Sequence, residues 1–166
     1  MTKILITGAT GFVGRALFEN LKLKKKYVFH LTTRTNQEKL FEGSQAFNIG
    51  EINSNTNWKD SLDGVDCVVH CAARAHMAKK KQIDLLSAYR RINVDGTKNL
   101  AEQAIAKGVR RFIFLSSVKV NGEITISSKS FKYNDISQPE DAYGISKWEA
   151  EQVLLELSKQ TGLEVV

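Results

Sequence analysis

Tyr143-Gly144-Ile145-Ser146-Lys147 sets a phenol and an ammonium four residues apart. In a helix that spacing puts both side chains on one face. A free phenol, with a pKa of about 10, is a poor base at neutral pH. A neighbouring ammonium stabilises the phenolate and lowers that value, so the pair is suited to moving a proton onto and off an oxygen. Tyr-x-x-x-Lys also arises by chance in helices, and its weight depends on its company. Ser116-Ser117 follows the apolar run Phe112-Ile113-Phe114-Leu115. That run reads as a buried strand, and open parallel sheets place their ligands at the carboxyl ends of such strands. Ser117 can hydrogen-bond an oxygen that passes between alcohol and ketone. An isolated serine would more usually satisfy its own loop.

Gly8, Gly11 and Gly14 stand directly between the apolar segment Lys3–Thr7 and a helical pattern. Glycine is needed where a turn demands positive φ, where backbone approaches a pyrophosphate, and where helix and strand pack closely. The next backbone N–H groups, at Phe12 and Val13, then meet the anion at a helix N-terminus. A strand before, a helix after and a second strand within about 30 residues supply the context that a lone glycine pattern lacks. An acidic residue gripping an adenosine ribose belongs near the end of that second strand. Thr32-Thr33-Arg34 stands there instead. Arg34 suits a 2′-phosphate and points to NADP; as a solvated loop residue it would leave NAD bound as well.

The elements that carry these groups alternate. Strands are expected at Lys3–Thr7, Tyr27–Thr33, Gln45–Asn48, Asp66–Cys71, Phe112–Leu115 and from Leu163 onward. The first helix should bury Val13, Leu17 and Leu21. Asp60–Gly64 reads as a helical turn ending on its glycine. A long helix over Leu85–Lys107 is expected, with Leu86, Tyr89, Ile92, Leu100, Ala104 and Ile105 inward and Gly108 as its stop. Another should run from about Asp141 to Gln160, stopped by Gly162. This order predicts an α/β fold of the Rossmann type, a doubly wound parallel sheet in three α/β/α layers. One dinucleotide-binding domain would occupy residues 1–166. Nothing follows the last strand, so a small C-terminal substrate domain is expected to be absent, the chain being cut near that strand.

Composition sets the bounds. With 166 residues, 42% of them hydrophobic and one proline, the chain can bury a core. The N-terminus runs straight into glycines and does not read as a signal peptide. No apolar run nears the ~20 residues of a membrane span, so a cytoplasmic protein is expected. Cys67 and Cys71 would share one strand face roughly 13 Å apart, too far for a disulfide, and no metal site is expected. The net charge of +6 gathers in Lys22–Lys26 and Lys79–Lys81 without interleaved aromatics. Such runs are usually solvated faces, and no nucleic-acid partner is expected.

Thr7-Gly8-Ala9-Thr10-Gly11-Phe12-Val13-Gly14 has the Gly-x-x-Gly-x-x-Gly spacing and resembles the extended short-chain dehydrogenase/reductases of the NAD-dependent epimerase/dehydratase family. The resemblance covers the whole chain. Gly50-Glu51-Ile52 stands where the family has an acidic–apolar pair near the adenine. His70-Cys71-Ala72-Ala73 resembles its His-x-Ala-Ala strand end, and Asn93-Val94-Asp95-Gly96-Thr97 its Asn-Val-x-Gly-Thr motif. Ser116–Gly122 is similar to Ser-Ser-x-x-Val-Tyr-Gly, with Asn121 in place of Tyr.

The resemblance implies NAD or NADP, held by Gly8, Gly11, Phe12, Val13, Gly14, Arg34, Glu51, Ile52, Ala72, Ala73, Asn93, Ser116, Tyr143 and Lys147. It implies Ser117, Tyr143 and Lys147 as the catalytic set. Tyr143 would shuttle the 4-hydroxyl proton of a nucleotide-sugar, Lys147 would lower its pKa and hold the nicotinamide ribose, and Ser117 would orient the oxygen. A 4-epimerase returns the hydride to the other face of the sugar; a 4-ketoreductase releases its cofactor oxidised. Dehydratases of the family carry Thr-Asp-Glu where Ser117-Val118-Lys119 stands, which argues against dehydration. Val118–Glu123 looks most like bacterial surface-polysaccharide epimerases and 4-ketoreductases. A homodimer through a four-helix bundle, built from segments 85–107 and 141–160, is also implied. The rivals are a steroid- or flavonoid-type alcohol dehydrogenase with the same catalytic set, and a non-catalytic dinucleotide sensor, which would typically lack the Tyr/Lys pair.

Overall fold

The computed structural model describes residues 1–36, 41, 43–75, 84–125 and 129–166. The Lys79–Lys81 run lies outside them. Six parallel strands form one sheet: β1 (Thr2–Thr7), β2 (Tyr27–Thr33), β3 (Gln45–Asn48), β4 (Cys67–His70), β5 (Arg111–Phe114) and β6 (Glu164–Val165). Their order is β3-β2-β1-β4-β5-β6. The order reverses between β1 and β4, and the crevice at such a point is where doubly wound sheets bind ligands.

Period-2 alternation divides the core into two layers. Leu5 and Val68 face one side with Trp58, Leu62, Leu100, Ala104 and Leu154. Ile4, Ile6, Phe29, Leu31 and Val69 face the other with Ala9, Phe18 and Phe41. Phe18 meets Phe29 and Phe41 edge-on at 5.4 and 5.6 Å, the geometry that aromatic quadrupoles favour.

Helix α1 (Phe12–Lys22) buries Gly14 and Phe18, with Leu17 and Leu21 packed beside them. The inward stripe is thus 14/17/18/21, whereas Val13 is 49% exposed. Close approach of the helix at Gly14 turns the expected face by one position. Asp60–Gly64 lies in a run of hydrogen-bonded turns, as expected, closed by Gly64 at φ +65°.

The long helix expected over 85–107 is interrupted. Helix α2 (Leu85–Arg90) passes into a π-helical turn at Arg91–Asp95 and then into α3 (Gly96–Ala106). π-Turns gather at functional sites, and this one contains Asn93. At Gly96 a Cβ would lie 2.5 Å from Ile52 Cγ2, so α3 touches the loop after β3. Helix α4 (Ala142–Thr161) starts on Asp141, whose carboxylate accepts the Gly144 N–H at 2.6 Å, and ends on left-handed Gly162. Cys67 and Cys71 are half-buried free thiols; burial pushes Cys71 up to about 11. Among the described residues no helix is long and apolar enough to cross a membrane.

Candidate active site

A cavity of about 360 Å³ opens at the carboxyl ends of β1, β2 and β4. The structure brings Gly8, Gly11, Arg34, Glu51, Ile52, Ala72 and Ala73 together on its wall, all expected cofactor residues, and adds Thr33, Cys71 and Arg74. Gly8 has φ +64°, and a Cβ there would lie 2.8 Å from the Ala72 nitrogen. A Cβ on Gly14 would strike the Gly8 carbonyl. The Gly11 N–H donates to that carbonyl at 2.9 Å, and Gly11 caps α1 with extended backbone. The first N–H groups of a helix have no partner within it, so Phe12 and Val13 begin a site for an anion. The Phe12 side chain is 94% exposed.

The loop is pinned from below by His70. Its Nδ1 is 2.6 Å from Thr7 Oγ1 and its Nε2 is 3.0 Å from Thr97 Oγ1. Thr7 Oγ1 also accepts the Ala72 N–H at 3.1 Å. Burial, helped by the Lys147 charge, drives His70 down to about 3, so the ring is neutral. Strands β1 and β4, helix α3 and the small-residue segment are thereby tied at one point.

Asn93 sits elsewhere than expected. It is not on the cavity wall. Its Oδ1 accepts the Arg74 N–H at 2.8 Å, and its Nδ2 donates to the Arg74 carbonyl and to Ser146 Oγ, each at 3.0 Å. Ser146 Oγ in turn donates to the Tyr143 carbonyl at 2.7 Å. The π-turn aims this amide between the cavity rim and the tyrosine helix, and its hydrogen-bonding capacity is spent on them. Glu51 is held by Arg74 at 3.4 Å and Arg91 at 3.1 Å. The sequence reading passed over Arg74; its place two residues beyond Ala72 was the available signal.

Ser116 is exposed just past β5, and Ser117 caps the 3₁₀ turn Val118–Val120, its Oγ accepting the Lys119 N–H at 3.3 Å. The Ser117 side chain also bears on the Tyr143 phenol and draws it down. The Tyr143 ring meets Tyr89 edge-on at 5.9 Å. Burial raises the phenol above its ordinary value, Ser117 pulls it back, Asp141 and Tyr89 raise it, and Lys119 lowers it. Lys147 is 1% exposed, and its Nζ lies 3.7 Å from the centre of the Phe114 ring. Burial lowers it to about 7, against the opposing pull of Glu151 and Cys71. The i, i+4 spacing puts the two residues on one helix face, but the Lys147 ammonium is turned to the Phe114 ring, and the cation that bears on the phenol, weakly, is Lys119. Cys71, on the cavity wall and within electrostatic reach of Lys147, links the cavity to the Ser117/Tyr143/Lys147 group.

The chain matches the NAD dependent epimerase/dehydratase family over residues 4–166. It is 47% identical to a UDP-glucose 4-epimerase of Vibrio cholerae over 98% of this chain and 49% of that protein. It is 32% identical to N-acetyl-alpha-D-glucosaminyl-diphospho-ditrans,octacis-undecaprenol 4-epimerase of Escherichia coli O157:H7, over 92% of this chain and 43% of that protein. A short-chain dehydrogenase/reductase superfamily protein of Agrobacterium tumefaciens, solved with bound NAD, superposes with a TM-score of 0.81 at 26% identity, over 99% of this chain and 47% of that one. The chain spans about half the length of the curated relatives it matches.

Proposed function

Because the chain belongs to the NAD dependent epimerase/dehydratase family, we propose that the protein is a nucleotide-sugar 4-epimerase acting on a UDP-sugar with a nicotinamide dinucleotide. The observation that carries this reading is the Ser117 turn pinned against the first turn of the Tyr143 helix, beside a glycine-lined cavity at the switch point of the sheet. Gly8 and Gly11 present main chain to the cavity with no side chain between, which fits a group that needs backbone contact. When bound there, the dinucleotide supplies the acceptor and donor of hydride.

The chain's own residues do the rest. The loop from Gly8 to Gly14 and the start of α1 hold the pyrophosphate; Arg34, Glu51 and Ile52 bound the adenosine end; Ala72 and Ala73 leave room along β4. Ser117 orients the 4-oxygen of the sugar, and Tyr143 takes its proton and returns it. Lys147 would hold the nicotinamide ribose. Arg34, exposed on the cavity wall, favours a 2′-phosphate and hence NADP. Nucleotide-sugar supply for surface polysaccharide is the role the Val118–Glu123 segment favours. Two subunits would pair through α2, α3 and α4, and light scattering that finds only monomer at micromolar concentration would remove that part.

The test is to incubate the full-length protein with UDP-glucose and with UDP-N-acetylglucosamine and follow the sugar by NMR. Appearance of the 4-epimer, without net change in cofactor oxidation state, is expected. Reduction of added oxidised cofactor, matched to the appearance of a 4-keto sugar, would replace the epimerase by a 4-ketoreductase running in reverse. No change at carbon 4 of either sugar would overturn both.

A further inference from the structure

We propose that Lys119 is a positioning residue that locks the serine-bearing turn onto the first turn of the tyrosine helix. Its role rests on the reading of Tyr143 as proton carrier. The Lys119 N–H donates to Ser117 Oγ at 3.3 Å. Its Nζ donates to Asp141 Oδ2 at 2.5 Å, and Asp141 is the cap of α4, two residues before Tyr143. The other Asp141 oxygen accepts the Gly144 N–H at 2.6 Å, so one carboxylate holds both the helix and the lysine. Glu123 grips the same ammonium at 3.0 and 3.2 Å.

The backbone closes the same joint. A Cβ on Gly144 would lie 2.7 Å from the Lys119 carbonyl oxygen, so the turn and the helix meet without room for a side chain. The Gln138 N–H donates to the Val120 carbonyl at 3.0 Å and brings the incoming segment alongside. Lys119 thus touches Ser117 through its main chain and the Tyr143 helix through its side chain. Displacing it would loosen the spacing between the Ser117 turn and the Tyr143 helix.

Its charge also bears on the phenol, lowering it slightly against the larger effects of burial and Asp141. The groups that bear on Tyr143 are Asp141 at the cap, Tyr89 from α2, Lys119 from the turn, and Lys147 on the same helix, which is turned to the Phe114 ring. Glu123 stands behind Lys119. The two carboxylates raise Lys119 well above the ordinary lysine range, whereas burial lowers Lys147 to about 7. Through the pH range in which a phenol titrates, Lys119 is therefore the cation that stays charged.

The experiment reads Tyr143 directly, without turnover. Tyrosinate absorbance of the full-length protein is titrated, and the Tyr143→Phe variant is subtracted to isolate one phenol. Lys119→Met and Lys119→Gln should each move that titration upward by about half a pH unit or more. Lys119→Arg, which keeps the charge and the reach to both carboxylates, should leave it close to wild type. A role confined to folding would lower Tm and leave the difference titration in place. An unmoved titration in the Met and Gln variants, or an Arg variant that behaves like Met, overturns the proposal. Should the titration shift while no UDP-sugar is epimerised, the proposed reaction falls and the lock stands.

Discussion

The Lys147 ammonium lies 3.7 Å from the centre of the Phe114 ring, in a side chain that is 1% exposed. A cation over a desolvated aromatic face is partly compensated, yet burial still costs more than the ring returns. The sign follows from linkage. A lysine whose folded-state value is lowered binds fewer protons folded than unfolded between about 7 and its ordinary value. Stability rises with pH through that window, and the cost is carried in full below it.

Lys147→Met should therefore stabilise the cofactor-free protein at neutral pH, raising Tm by roughly 2 °C or more, while turnover collapses. The gain should shrink as pH rises from about 7 toward 10. Thermal unfolding at several pH values measures it. A destabilised Met variant at pH 7 would mean that the ammonium is satisfied by contacts beyond Phe114.

Tyr143→Phe removes only the phenol oxygen. Turnover should fall by ~10²-fold or more, as for a lost general acid–base group, with dinucleotide binding unchanged. Ser117→Ala should be milder, since a single hydrogen bond of about 1–3 kcal/mol to the reacting oxygen is lost. Steady-state kinetics set beside equilibrium cofactor titration separates the two. Wild-type turnover in the Phe variant would assign the proton to another residue.

Much of this was legible before the coordinates. Short apolar runs bounded by glycine gave the strands, because β1, β4 and β5 are buried on both faces and carry little else. The π-turn was not legible. Leu86, Tyr89, Ile92, Leu100 and Ala104 keep an approximate helical period, and nothing in that pattern signals the extra residue at Arg91–Asp95. What drives it is tertiary: Asn93 must reach both the Arg74 backbone and Ser146. Likewise Tyr143 and Lys147 were visible as a pair from spacing alone, but spacing does not say that Phe114 captures the ammonium or that Lys119 approaches the phenol. Those depend on how β5 and the turn after it meet α4.

The glycines of the loop should separate in a way that sequence alone does not suggest. A Cβ on Gly11 meets only the Gly8 carbonyl, at 3.2 Å, and Gly11 has ordinary φ. Gly8 has both positive φ and the Ala72 backbone against it. Gly11→Val should fold with nearly wild-type Tm and lose dinucleotide binding, by filling the space next to the helix N-terminus. Gly8→Val should lose both. Calorimetric titration with NAD and NADP, beside thermal unfolding, reads the difference. In the same titration Arg34→Ala should weaken NADP more than NAD; equal weakening would make Arg34 a loop residue only.

Acid should act on the two buried histidines together. Burial lowers His30, partly offset by the Ser61 carbonyl on its Nδ1 at 2.7 Å, and burial lowers His70 to about 3. A histidine with a depressed folded-state value is neutral in both states above its ordinary value of about 6.5, so no stability is lost there. As pH falls below that point the unfolded chain takes up the proton and the folded chain refuses it. Each such site then removes up to about 1.4 kcal/mol of stability per pH unit until its folded-state value is reached. For His70 the loss continues down toward pH 3. Denaturant unfolding at a series of pH values should show the histidines' share of stability flat above about 6.5 and falling below it, while the Lys147 share rises with pH above about 7. Replacing His70 by Gln, which can span Thr7 and Thr97 without titrating, should reduce that slope and leave the His30 share. If the slope below that point is the same in the His70→Gln variant, the ring is not held neutral between the two threonines.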